Sequence, residues 1–128
     1  MRIAKTDIPT KIQVPGAVAR QMTEFGDATE YGKMAGEYFS MSAGIDLEPL
    51  LKGLEHDLCQ SPHWGYLIQG EIKVTYQDGS SETVTGGDLF FWPAGHTVAA
   101  KQDAEIVLFS PQKEHCAVVD HIKKQLGA

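Results

Sequence analysis

The stretch Asp57–Tyr66, DLCQSPHWGY, sets a carboxylate, a thiol and an imidazole within seven residues. Thiolate and imidazole are strong zinc ligands, and a carboxylate can complete such a set. A run with strand character, WGYLI, follows at once. The same residues also read as an ordinary loop entering a sheet. A free cysteine is commonly a small buried hydrophobe, and an aspartate beside a histidine in a loop is commonly solvated. His96 follows the turn residues PAG, where a lone histidine reads as a solvated turn residue. His115 and His121 are six apart on a helical run, whereas helical neighbours are three or four apart, so they form no ligand pair. Glu48, Glu55 and Glu71 are candidates for a general base, and nothing in the sequence singles one out.

The elements that must position these groups are punctuated like an all-β protein. Residues 1–16 form an arm of mixed pattern ending at VPG. AVARQM and GEYFSMS alternate and read as strands. Over 46–53 the run DLEPLLKG predicts a short helix, with Asp46 as cap, Pro49 in the first turn and Gly53 at the end. From residue 63 turn signals recur every six to ten residues. QG at 69–70 reads as a tight turn between WGYLI and EIKVTY, and DG at 78–79 as a hairpin. GGD and PAG bracket LFFW, and HTVAAK and AEIVLF close the set as two strands. Residues 112–126 have helical spacing, with Cys116, Val119, Ile122 and Leu126 on one face. The expectation is one sandwich or barrel with this helix packed outside it.

Composition narrows the function classes. A chain of 128 residues fits a single domain, and 42% hydrophobic residues supply a core. The net charge is −6 and the Lys and Arg residues are scattered. Nucleic-acid binding needs a dense cationic surface, so it is set aside. No apolar run approaches the ~18 residues of a membrane span, and the N-terminus has no apolar segment typical of a secretory signal. Cys59 and Cys116 make no disulfide framework, so a reducing, cytoplasmic setting is expected.

At this point the sequence resembles the cupin superfamily, whose fold is a small jelly-roll barrel. The second cupin motif, Gly-x5-Pro-x-Gly followed by a histidine, is matched by Gly87-x5-Pro93-Ala94-Gly95-His96. The first, His-x-His-x3–4-Glu-x6-Gly, is matched in spacing by Asp57-x-Cys59-x3-His63-x6-Gly70, with every ligand type changed. The family histidine of the second motif falls at Val98, and His96 stands two residues earlier. The resemblance covers about 35–110. It implies an all-β, cupin-type jelly roll filling 1–128, with a short helix before the first motif and a C-terminal helix at about 112–126.

The resemblance also implies a site. Side chains of equal parity share one face of a strand, so His96 points the way Val98 points. Four residues of extended strand would hold Cys59 about 13 Å from His63, so QSP must bend there, as Pro62 allows. Cys59, His63 and His96 then bind one divalent metal, with Asp57 as a candidate fourth ligand. Zn²⁺ suits this set best, and iron or copper also accepts imidazole. The expected function is a metal-binding cupin, a metal-dependent enzyme on a small polar molecule held in the barrel. The alternative is a non-catalytic small-molecule or metal-binding sensor. A homodimer is expected, because stand-alone cupins commonly pair. Trp64, Tyr66, Phe90 and Trp92 flank the region as core or dimer-contact residues, with one or two lining the pocket.

Overall fold

The computed structural model describes residues 1–26 and 30–127. Among the described residues, seven strands and one long helix follow in the order β1 (Thr10–Val14), β2 (Ala17–Met22), β3 (Met34–Met41), β4 (His63–Tyr76), β5 (Ser81–Thr85), β6 (Leu89–Trp92), β7 (His96–Pro111) and α1 (Gln112–Gln125). Every strand pairing is antiparallel. The hydrogen-bonded order is β1-β2-β3-β7-β4-β5, with β6 joined to β4. This path stays open. The roll is completed by packing and by isolated bridges, Asp46 to Ala99 and Cys59 to His96. Among the described residues no helix is long and apolar enough to cross a membrane.

The spine of the fold is the β4–β7 ribbon. Trp64 pairs with Phe109 at one end and Tyr76 with His96 at the other. On β7 the inward positions are even-numbered, from His96, Val98 and Ala100 to Ala104, Ile106, Leu108 and Ser110. Alternation puts one face in the core on both sides of the exposed stretch 101–103. Leu67, Ile72 and Val74 on β4 meet that face and are fully buried. Each such aliphatic side chain contributes about 1.5–3 kcal/mol on burial.

Two expectations about this ribbon change. QG does not turn the chain, because β4 runs through residues 69–70 as part of one strand. The register with β7 instead shifts repeatedly between Leu67 and Ile72. Gly70 has φ +97, and a Cβ there would lie 2.2 Å from the Asp103 carbonyl oxygen. Glycine is required by this bulge and close approach, and its sequence signal is the same as that of a turn. HTVAAK and AEIVLF are likewise one strand, β7, rather than two.

A second layer covers the mouth of the roll. The helix expected over 46–53 is a single 3-10 turn, Glu48–Leu50. It sets Leu51 against Cys59, Val118 and Ile122 in a separate apolar cluster. The C-terminal helix forms as expected, but its buried face is His115, Val118, Val119 and Ile122. Cys116 is only partly buried and Leu126 is 38% exposed. The reason is polar: His115 bonds to Glu37 inside the roll, which turns the helix by one position from its purely apolar register. The N-terminal arm contributes β1, which pairs with β2 of its own chain.

Candidate metal centre

Cys59, His63 and His96 come together although they lie on different elements. Cys59 ends the covering segment and pairs with His96, its N–H donating to the His96 carbonyl at 2.9 Å. His63 opens β4 directly after Pro62, and His96 opens β7 directly after the PAG turn. One donor atom from each of the three lies within 4.8 Å of the others. The Cys59 Sγ to His63 Nε2 distance is 3.6 Å. All three side chains are buried, at 5% or less exposed.

Hydrogen bonds on the far side of each ring decide what the near side offers. His96 Nδ1 is 2.7 Å from the Pro93 carbonyl. A carbonyl only accepts, so Nδ1 carries the proton and Nε2 keeps a lone pair. His63 Nδ1 is 2.6 Å from Ser110 Oγ. The Ser110 hydroxyl donates its own proton to Glu37 Oε1, so it accepts from His63 Nδ1–H. His63 Nε2 therefore also keeps a lone pair, on the side of the thiol. Imidazoles held by a second partner in this way are the usual form of metal-binding histidine.

Glu37 anchors this arrangement. Its side chain is wholly buried and receives three donors: Ser110 Oγ, His115 Nδ1, and Gln21 Nε2 at 2.8 Å. A buried carboxylate is tolerated only with such partners. Glu37, His63 and His115 also have donor atoms within 4.8 Å of one another. In that group, however, the facing atoms of Glu37 and His115 are already bonded to each other. Cys59, His63 and His96 form the group with lone pairs to give.

Burial sets the charge states. It pushes the Cys59 thiol up to about 12, opposed by the Ser61 backbone and added to by the Glu37 charge. Burial lowers His96 to about 4, partly offset by its bond to Pro93. His63 is held well below its usual value by burial and by His115 and His96 nearby. At neutral pH both imidazoles are thus neutral, as ligands must be, while the thiol keeps its proton until an ion displaces it. A soft sulfur with two neutral imidazoles fits a zinc-type ion.

Asp57 lies outside the cluster. It is exposed, at φ +57, and its Oδ1 accepts from the Gly53 N–H at 2.9 Å. Glu48, Glu55 and Glu71 are not in the cluster either. Glu37, Ser110, Gln21 and His115 were not read as site residues from the sequence. Glu37 did carry a signal, because it shares strand parity with Ala35, Phe39 and Met41. His115 carried one too, standing three, four and seven residues before Val118, Val119 and Ile122.

Beside the cluster lies a cavity of about 150 Å³ between the barrel core and the covering layer. Its walls are apolar over almost their whole extent, from Ile12 and Met41 to Leu50, Val118 and Val119. The polar groups on it include His63, His96 and Trp92. Trp92 is 2% exposed, and Phe90 stacks on it with ring centroids 4.0 Å apart. Trp64 and Tyr66 point the other way, onto the outer face of the sheet.

Similar folds occur among solved structures. Oxalate decarboxylase from Bacillus subtilis matches with TM-score 0.60 at 23% identity over 86% of this chain and 29% of that one. The polyketide cyclase RemF from Streptomyces resistomycificus matches with TM-score 0.59 at 19% identity, over 87% of this chain and 78% of that one. Ectoine synthase from P. lautus matches with TM-score 0.59 at 15% identity, over 88% and 77%. This chain thus spans less than a third of the oxalate decarboxylase chain. No family model matches the sequence, and no curated protein matches it. The three structures are cupins, and the fold of this chain is the cupin fold.

Proposed function

We propose that this protein is a metal-binding cupin that uses Cys59, His63 and His96 to hold one divalent ion, Zn²⁺ in preference to iron or copper, and acts as a metal-dependent enzyme on a small molecule in the adjoining cavity. The observation that carries this reading is the pair of Nδ1–H bonds, to Pro93 and Ser110, that turn both Nε2 lone pairs inward beside a thiol. A bound ion supplies Lewis acidity to an oxygen of the bound molecule. The chain's own part is to fix both rings, to keep them neutral by burial, and to exclude water with the layer of Leu50, Leu51 and Val118. Asp57 completes the ligand set only if its loop leaves Gly53; otherwise a fourth position stays available to substrate.

A non-catalytic binding or sensor role is the second reading. What favours it is that Glu37, the buried carboxylate of the network, is fully engaged by three donors and so is not free to act as a base.

Elemental analysis of protein purified without an affinity tag tests the ion, with stoichiometric zinc expected. Free metal at ~100 times its dissociation constant stabilises the folded state by about 2.7 kcal/mol, so chelation should lower the melting temperature. In Cys59→Ser and His63→Ala proteins the chelator should have little further effect. Full occupancy in both variants would place the ion elsewhere. Turnover screening of the loaded protein separates the enzyme from the binder.

A further inference from the structure

The cavity is too apolar for a small polar molecule throughout, yet two residues that line it carry buried polar atoms without a partner. Trp92 Nε1 and Thr97 Oγ1 are buried without a hydrogen-bond partner among the described residues, and both residues line the cavity. Leaving a buried donor unpaired costs about 1–3 kcal/mol, and such a group calls for an explanation. Indole N–H only donates, so what satisfies Trp92 is an acceptor. Trp92 also stands beside both candidate ligands, its ring centroid 6.2 Å from that of His63 and 5.7 Å from that of His96. A cavity of about 150 Å³ walled by aliphatic side chains is of the size that takes one benzene ring.

We propose that this cavity takes a small molecule with an apolar body of about one aromatic ring and a single oxygen acceptor, a carboxylate or carbonyl, received by Trp92 Nε1. The inference deepens the metal-site reading by naming the substrate class, but the apolar body needs no ion. Helix α1 and the Leu50–Leu51 turn grip the body, and the indole orients the oxygen toward the end of the cavity where His63 and His96 stand.

Toluene and benzoate are the probes, titrated into ¹⁵N-labelled protein with and without zinc. Both should perturb the amides of Val118, Val119 and Met41. Benzoate, not toluene, should move the indole N–H resonance of Trp92 downfield, while that of Trp64, the other tryptophan, stays put. Trp92→Phe keeps an aromatic wall and removes the donor. It should weaken benzoate roughly tenfold to a hundredfold, as expected for a hydrogen bond to a charged group, and leave toluene unchanged. Filling the space with Val118→Phe, or from the opposite wall with Ala19→Leu, should abolish both. Lack of any toluene response in the native protein overturns the cavity assignment. An unmoved Trp92 indole, or equal loss of both probes in Trp92→Phe, overturns the acceptor assignment. If zinc fails to bind while toluene and benzoate behave as stated, the metal reading fails and this one stands.

Discussion

Glu37 controls the candidate centre without touching its donor atoms. Replacing it with glutamine leaves one oxygen for three donors and turns an amide N–H₂ toward one of them. Glu37→Gln should cost about 3–5 kcal/mol of stability, the range for breaking a buried charged network, measured by urea denaturation. It should also weaken zinc about 10–100-fold, because the Ser110 hydroxyl that fixes the His63 tautomer loses its carboxylate acceptor. The buried imidazoles give a second prediction, for the metal-free protein. His96 titrates at about 4 when folded, and His63 is also lowered, whereas both titrate near ~6.5 unfolded. Between those values the unfolded chain binds more protons. Stability should therefore fall as pH drops from about 6.5 toward 4, and show no dependence on these groups above 7. His96 alone contributes roughly 3 kcal/mol over that window. A melting series from pH 7 to 5 should show a shallower acid slope in the double variant His63→Gln, His96→Gln. At this scale Cys59, His63 and His96 were legible because motif spacing pointed to them. Glu37, Ser110 and His115 were not, because each looks unremarkable until its distant partner is known: Glu37 and His115 are 78 residues apart.

The strands, turns and helix were legible to different degrees for one reason. Alternation identifies a strand but does not say where it stops. Gly70 was read as a hairpin corner and proves to be a bulge, because positive φ serves both. DG at 78–79 was read correctly, since β4 and β5 do pair across it. The bulge makes a prediction of its own. Gly70→Ala would force a Cβ to 2.2 Å from the Asp103 carbonyl at φ +97. Strain at such a position costs about 1–3 kcal/mol before any clash is counted. The variant should lose at least that much in thermal or urea unfolding. It should also weaken zinc, because the bend lets the ribbon bring its two ends to one place. Retention of native stability would show that the ribbon can curl without the bulge.

Across the whole molecule, the outer face of β6, β4 and β7 is unusually apolar. Trp64 lies between Phe91 and Phe109 in register, with Tyr66 beside Leu89, and all five are 42% or more exposed. A contiguous patch of this kind marks an interaction surface, and we expect a second copy of the chain to cover it. Light scattering should report a dimer, and Trp64→Glu with Phe91→Glu should give a monomer that still binds zinc. A native monomer at high concentration would refute this. The remaining consequence comes from the ribbon whose two ends meet at the site. Cys59 and His63 are made before His96, and Ser110 and His115 later still. The pocket for an ion is therefore assembled from contacts of long sequence separation, the slow kind to form. A chain made only as far as residue 95 carries the thiol and the His63 imidazole but not the Ser110 hydroxyl that orients that ring. If Cys59, His63 and His96 hold an ion, loading would follow the pairing of β7 with β4, which brings Ser110 to His63.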